Sequence, residues 1–205
     1  QAIFDRIVQH AQAPADKSCA MRASGHRLPN SNQGQEAGIH LSDQPEAAVL
    51  FNRRAIPHGA CEWLWSAPDG HRLRRIEWPK PPSSVAGRGS VLFLPGRGDV
   101  YEKYLETLEH WRQGGWQVSA ADWRGQGGSG RLGRDASTGH VDDFALFVDD
   151  LAALWRDWAA YHPGPLVLAA HSMGGHIALR AVIEGRVVPS ALVLTAPMLD
   201  VQPEG

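Results

Sequence analysis

Ser172 stands in Ala170-His171-Ser172-Met173-Gly174-Gly175, a run with a particular chemical use. Ahead of it lies a short apolar run, Leu166-Val167-Leu168-Ala169-Ala170, which reads as a strand. Behind it Ile177, Ala178, Ala181 and Val182 follow helical spacing, and Gly185 supplies a stop. A strand that hands a serine through a sharp turn into a helix presents the hydroxyl above the sheet, ready to attack a carbonyl. The N–H of the following residue, here Met173, then faces the oxyanion that develops. The usual pattern is Gly-x-Ser-x-Gly, and Ala170 occupies the first glycine position. The glycines answer a steric need, since strand, helix and serine crowd together. A single methyl is the mildest departure from that rule.

A serine nucleophile also needs a base and a group that orients the base. In folds with this turn the order along the chain is Ser, then Asp or Glu, then His. After Ser172 the remaining histidine is His176, one helical turn on, where a ring cannot readily reach back to the serine oxygen. It reads as a packing or surface histidine. His171 adjoins the serine with its side chain aimed elsewhere, and His140 reads as a loop histidine near a helix start. Asp200 follows the strand at Ala191 to Leu194 and is a candidate acid that the reading does not favour. The expectation is that the base, and with it the acid, lies outside these residues.

The elements that must carry this constellation read as an α/β fold. Glu62–Ala67 and Leu73–Trp78 flank Pro68-Asp69-Gly70, a hairpin signal. Pro79 to Gly89 is a connector rich in proline and glycine. Val91-Leu92-Phe93-Leu94 is an apolar run suited to a strand buried on both faces, followed by the tight loop Pro95-Gly96-Arg97-Gly98. Tyr101, Tyr104, Leu105, Leu108 and Trp111 mark one face of a helix that ends at Gly114-Gly115. Val118 to Trp123 is the next strand, and Arg124 to Gly139 a glycine-rich loop. Phe144, Phe147, Val148, Leu151, Leu154, Trp155 and Trp158 repeat with helical period behind Asp142 and Asp143, whose charges suit a helix start. Alternating strands and helices predict a mostly parallel sheet with an antiparallel hairpin at one edge. Trp111, Trp155 and Trp158 fall on apolar helix faces, whereas Trp63, Trp65 and Trp78 are expected to cover the hairpin edge.

The N-terminal part reads differently. Residues 1–46 hold few large apolar residues beyond a short amphipathic stretch, Ile3, Phe4, Ile7 and Val8, and are expected to be poorly ordered. The domain is expected to span 47–205. The chain starts at Gln1 and stops at Gly205 soon after a strand, which suggests a fragment, truncated after the strand that follows the serine turn.

Composition narrows the function classes. The 205 residues carry a formal net charge of -2 and no long single-sign run, so bulk charge offers no reason for nucleic-acid binding. Cys19 and Cys61 lack metal spacing, and their scarcity fits a reducing compartment. No run approaches the ~18 apolar residues of a membrane span. Gly125, Gly127 and Gly130 spell a dinucleotide-binding pattern, but Arg131 to Asp135 continues as loop where that motif needs a helix to start. Neither cofactor nor metal is expected.

Taken together, the motifs resemble those of the serine α/β-hydrolases, in the branch of bacterial lysophospholipases and monoacylglycerol lipases. The resemblance rests on Leu94–Gly98 followed by Tyr101-Glu102-Lys103-Tyr104, on Asp122-Trp123-Arg124-Gly125-Gln126-Gly127, on Gly139–Phe144, on Ala170–Gly175 and on Thr195-Ala196-Pro197-Met198. It runs in order from about Ala47 to Pro197. It implies that the Arg97 N–H is the second oxyanion donor beside Met173, leaving the Arg97 side chain solvated or free to meet a phosphate or glycerol headgroup. It also implies a small lipid ester as substrate, cleaved through an acyl-enzyme at Ser172, and a protein in the cytoplasm or against the inner face of the membrane. A peptidase or acyltransferase on the same scaffold, and an inactive or truncated binding domain, are the alternatives.

Overall fold

The computed structural model describes residues 55–78, 81, 86–135 and 138–200. The amphipathic stretch at the N-terminus, the low-hydrophobicity segment 1–46 and the expected domain start at Ala47 lie outside the described residues, as does most of the proline-rich connector.

Six strands form one sheet: β1 (Cys61–Ser66), β2 (Arg72–Glu77), β3 (Gly89–Leu94), β4 (Trp116–Ala121), β5 (Leu166–His171) and β6 (Ala191–Thr195). Their order across the sheet is β1-β2-β4-β3-β5-β6. The hairpin β1–β2 is antiparallel, with Trp65 opposite Leu73. β2 joins the sheet antiparallel to β4, and β4, β3, β5 and β6 run parallel. This is the α/β arrangement read from the sequence. β3 lies between β4 and β5, with Leu92 opposite both Ser119 and Leu168.

The central apolar runs alternate between two cores, because successive residues of a strand face opposite sides. Leu92, Leu94, Leu168 and Ala170 pack against helices α2 (Ala145–Ala159) and α3 (Met173–Ile183). Val91, Phe93, Val167 and Ala169 face the other way, toward Leu105 and Leu108 of α1 (Leu105–Gln113). The apolar stripe of α2 is buried as its period predicts, through Phe147, Val148, Leu151, Leu154, Trp155 and Trp158.

Three details differ from the sequence reading. The helix expected from Tyr101 onward opens as a 3-10 turn over Tyr101–Tyr104 before α1 begins. The turn is closed by Lys103 N–H on Val100 O at 3.2 Å, and the Tyr101 N–H, which as the first residue of the turn has no helical acceptor, donates to the Asp122 carboxylate at 3.1 Å. The strand expected over Val118 to Trp123 runs instead from Trp116 to Ala121. Trp78 does not cover the hairpin edge, for it lies in the core that also holds Trp116 and Tyr101. It follows the end of β2, where its N–H pairs with the Val118 carbonyl and turns the residue inward.

The parallel strands set the chemistry at one end of the sheet. The loops after β3, β4, β5 and β6 leave their strands at the same, carboxyl-terminal end, the usual place for a site in an open α/β sheet.

Candidate active site

β5 ends at His171 and α3 starts at Met173, so Ser172 alone makes the turn. Its backbone angles, φ 50 and ψ -119, lie in a region that L residues rarely occupy. Such a conformation costs roughly 1–3 kcal/mol and persists when the surroundings over-determine it. They do so here. The Ser172 N–H donates to Thr195 O at 3.0 Å, and the Ser172 carbonyl accepts from Met198 N–H at 3.0 Å and His176 N–H at 3.1 Å. The segment after β6 therefore clamps both sides of the serine. Ala196 in that segment is also at positive φ, 43. Ser172 itself is partly exposed.

Close packing around the turn explains its small residues. A Cβ on Gly174 would sit 2.3 Å from Pro95 O, and one on Gly175 would sit 3.0 Å from the Pro197 Cβ. Ala170 meets a different environment. Its methyl belongs to the core shared with α2 and α3, so alanine is accommodated where the motif more often has glycine. A Cβ on Gly96 would lie 3.0 Å from the Ser172 Cβ, which places the loop after β3 directly against the serine.

The residues singled out in the sequence divide between this point and its surroundings. Met173 is the first residue of α3, where backbone N–H groups have no helical acceptor. Arg97 is exposed in the loop after β3. The neighbouring Gly98 N–H is engaged by the Gln126 side-chain oxygen. His171 turns its Nδ1 to Thr195, 3.1 Å from the carbonyl and 3.2 Å from the hydroxyl. His176 directs Nδ1 to Met198 O at 2.9 Å and stands edge-on to Phe144. His140 is exposed and pairs with Asp142 at 2.8 Å. Asp200 is exposed in the coil after β6. Asp200 makes no hydrogen bond among the described residues.

Sequence reasoning named the Asp122-x-Arg124 segment by resemblance and assigned it no task. The structure gives it one. Asp122 is buried, and burial works to raise its carboxyl. Four donors hold its charged form: Arg74 Nε at 2.8 Å, Arg74 Nη2 at 2.6 Å, Gly128 N–H at 3.0 Å and Tyr101 N–H at 3.1 Å. Arg74 also forks onto Glu102 at 2.6 and 2.7 Å. Arg124 forks onto Asp150 of α2 at 2.8 and 2.7 Å and reaches Asp69 of the hairpin turn at 2.6 Å. These bonds tie the loop after β4 to the 3-10 turn, the hairpin and α2. The sequence offered no signal of this beyond the resemblance itself, since burial of Asp122 and Arg124 depends on the packing of distant elements.

A cleft of about 820 Å³ opens beside the turn, lined by Arg97, Met173 and Met198 and by the loop after β4. Phe144, Phe147, Val100 and Val141 give it an apolar side, and Arg124, Arg131 and His140 a basic one. No Asp or Glu is among its described lining residues. Among the described residues no group of His, Cys, Asp and Glu has metal-binding geometry. Gly125, Gly127 and Gly130 all take positive φ, and among the described residues the next helix along the chain is α2, which begins only at Ala145.

A single sheet of this order, with a serine at a strained strand-to-helix turn, is the arrangement of the α/β-hydrolase fold. The profile of the family described as serine aminopeptidase, S33, matches residues 86–205, and the chain belongs to that family. Over 114 residues, 54% of its length, it is 42% identical to lysophospholipase L2 of Escherichia coli K12, covering 33% of that protein. Over 113 residues, 55% of its length, it is 30% identical to phospholipase YtpA of Bacillus subtilis, covering 41% of that protein. The matched region thus spans a third to two fifths of these relatives' own length. Among solved structures, a serine α/β-hydrolase without a lid from Xanthomonas campestris superposes with a TM-score of 0.51 at 24% identity, covering 72% of this chain and 68% of that one. That likeness speaks for the fold.

Proposed function

We propose that this chain is part of a serine hydrolase that cleaves carboxylic esters of lipids, with a lysophospholipid as the substrate class. The observation that carries the reading is the Ser172 turn, where strain is held in place by the segment after β6 and a basic, partly apolar cleft opens alongside. The names of the relatives, a lysophospholipase and a phospholipase, support the substrate class. So does the cleft, whose apolar side suits an acyl chain and whose arginines suit a phosphate better than a neutral glycerol.

In this mechanism Ser172 Oγ attacks the ester carbonyl and gives its proton to a histidine base, which passes it to the leaving alcohol. The Met173 and Arg97 N–H groups hold the tetrahedral oxyanion. Water then attacks the acyl-enzyme, the base takes its proton, and the fatty acid leaves as Ser172 regains its hydrogen. The base and its orienting acid are placed outside the described residues, since in this fold both follow the nucleophile's helix in the chain, and the histidine that follows Ser172 there, His176, lies on that helix and turns Nδ1 to Met198 O. The site needs neither metal nor cofactor for this chemistry. No described helix is long and apolar enough to cross a membrane. The protein works in the cytoplasm or against the inner membrane face.

The test is a fluorophosphonate ester probe applied to the natural gene product, read by intact mass and peptide mapping. Labelling confined to Ser172, and lost together with lysophospholipid hydrolysis in Ser172→Ala, is the expected result. Hydrolysis that persists in Ser172→Ala overturns the mechanism, and a natural protein that neither labels nor hydrolyses esters overturns the function.

A further inference from the structure

The oxyanion donor assigned to Arg97 sits on the peptide unit between Gly96 and Arg97. Nothing in the loop's own backbone fixes where that N–H points, since Gly96 and Gly98 flank Arg97 and Gly98 takes φ 68. A loop of this composition has many conformations of similar energy. Yet an oxyanion donor has to be held in place before the reaction to be effective.

Two side chains from one neighbouring turn supply the constraint. The Trp123 indole N–H donates to the Pro95 carbonyl at 2.7 Å, which pins the peptide unit just before the donor. The Gln126 side-chain oxygen accepts from the Gly98 N–H, which pins the unit just after it. The donor unit is thus bracketed on both sides. The anchors are themselves rigid. Gln126 N–H donates to Trp123 O at 3.0 Å, closing a four-residue turn whose third residue, Gly125, has the positive φ of 75 that a type II turn requires. Arg124, inside that turn, is forked onto Asp150 of α2. Trp123 lies in the core with Phe147, and Gln126 is buried. Engagement of the Gly98 N–H also removes the rival donor of the loop.

We propose that Gln126, acting with Trp123, is a positioning residue of the oxyanion hole: its side-chain oxygen holds the loop after β3 so that the Arg97 N–H faces the carbonyl attacked by Ser172. This rests on the hydrolase reading above. It assigns Gln126 no contact with substrate, and it places the discrimination between Arg97 and Gly98 as donor in the loop after β4.

The experiment is Gln126→Met in the natural gene product, with p-nitrophenyl butyrate as a small neutral ester. Methionine keeps the length of the side chain and removes the acceptor. The expected result is a fall in kcat of about tenfold or more, with KM within about twofold, because the lost alignment acts on the transition state. A trifluoromethyl ketone, which forms a tetrahedral oxyanion on the serine, loses affinity in proportion, while a non-hydrolysable ether analogue of the ester binds as before. Gln126→Glu retains an acceptor for the Gly98 N–H and recovers most of kcat. Amide hydrogen exchange over Gly96–Asp99 quickens in Gln126→Met and not in Gln126→Glu. If Gln126→Met folds poorly, Gln126→Asn, too short to reach, serves for the same comparisons.

An active Gln126→Met with parental kcat and ketone affinity overturns the inference and leaves the hydrolase reading intact. So does a loss that follows the unfolding midpoint or KM instead of kcat. A parent protein that shows no labelling at Ser172 overturns both readings at once.

Discussion

At the scale of single residues, the turn around Ser172 depends on what each neighbouring small residue touches. Gly174 faces the Pro95 carbonyl, which is itself the acceptor of the Trp123 indole. Gly174→Ala therefore forces apart the elbow helix and the loop after β3, both of which border Ser172. Overpacking of this kind costs about 1–3 kcal/mol. The expected outcome is a lower denaturant midpoint together with slowed fluorophosphonate labelling. Ala170→Gly is the contrasting case. Its methyl lies in the core behind the strand, so the change costs about 1 kcal/mol of stability and leaves the labelling rate near the parental value. Slow labelling in Ala170→Gly, or parental labelling in Gly174→Ala, would reverse the order drawn from these contacts. Ser172 was legible in the sequence because the turn is local: strand, serine and helix are contiguous. The bracket by Trp123 and Gln126 was not, because it joins two loops 28 residues apart and depends on where a carbonyl and an amide point.

At the scale of elements, periodicity told most of the story. The run over Val91–Leu94 has no polar face, as suits a strand with a helix layer on each side, and the structure gives it both. What periodicity could not report was the tightness of the first turn. Tyr101 has the spacing of a helical residue, yet it opens a 3-10 turn closed by Lys103 N–H on Val100 O, and its own N–H, without a helical acceptor, is held by Asp122. The buried charges of the loop after β4 belong to this scale too, since they join elements. Arg124 links the hairpin turn to α2 through Asp69 and Asp150. The hydrogen bond from Arg124, helped by that from the His71 N–H, holds the Asp69 carboxyl down at about 2. Between that value and the ordinary 3.8 the unfolded chain binds more protons than the folded one, so stability rises with pH there. The contribution is complete above the ordinary value and is lost as pH falls through about 2. Asp69 is half-exposed, so solvent screens the link to at most about 1 kcal/mol. Asp69→Asn is expected to lower the urea midpoint slightly at pH 7, with the difference from the parent shrinking as the pH approaches 2. An Asp69→Asn deficit that grows on acidification would contradict this sign.

At the scale of the molecule, charge is distributed in a way the net value hides. The chain carries a formal charge of -2, which offers no attraction to an anion at long range. Close to the turn the balance is reversed. Arg97 is exposed on one side of the cleft and Arg131 on another, and no carboxylate is among its described lining residues. Arg124, also at the cleft, is largely neutralised by Asp69 and Asp150, so the exposed Arg97 contributes to the local field. Such a field is felt by a substrate headgroup within a Debye length, about 8 Å at physiological ionic strength, and is screened beyond it. A lysophosphatidylglycerol, with its phosphate near the scissile ester, lies within that distance when bound. Its kcat/KM is expected to fall several-fold as salt rises from about 20 to about 500 mM, whereas that of neutral p-nitrophenyl butyrate changes by less than about twofold. Arg97→Gln, which keeps the backbone N–H of residue 97, flattens the salt dependence for the anionic substrate. Equal salt dependence for the two substrates would remove the cleft's arginines from headgroup recognition, and the substrate class would then have to be argued from the acyl side of the cleft, through Phe144, Phe147 and Met198.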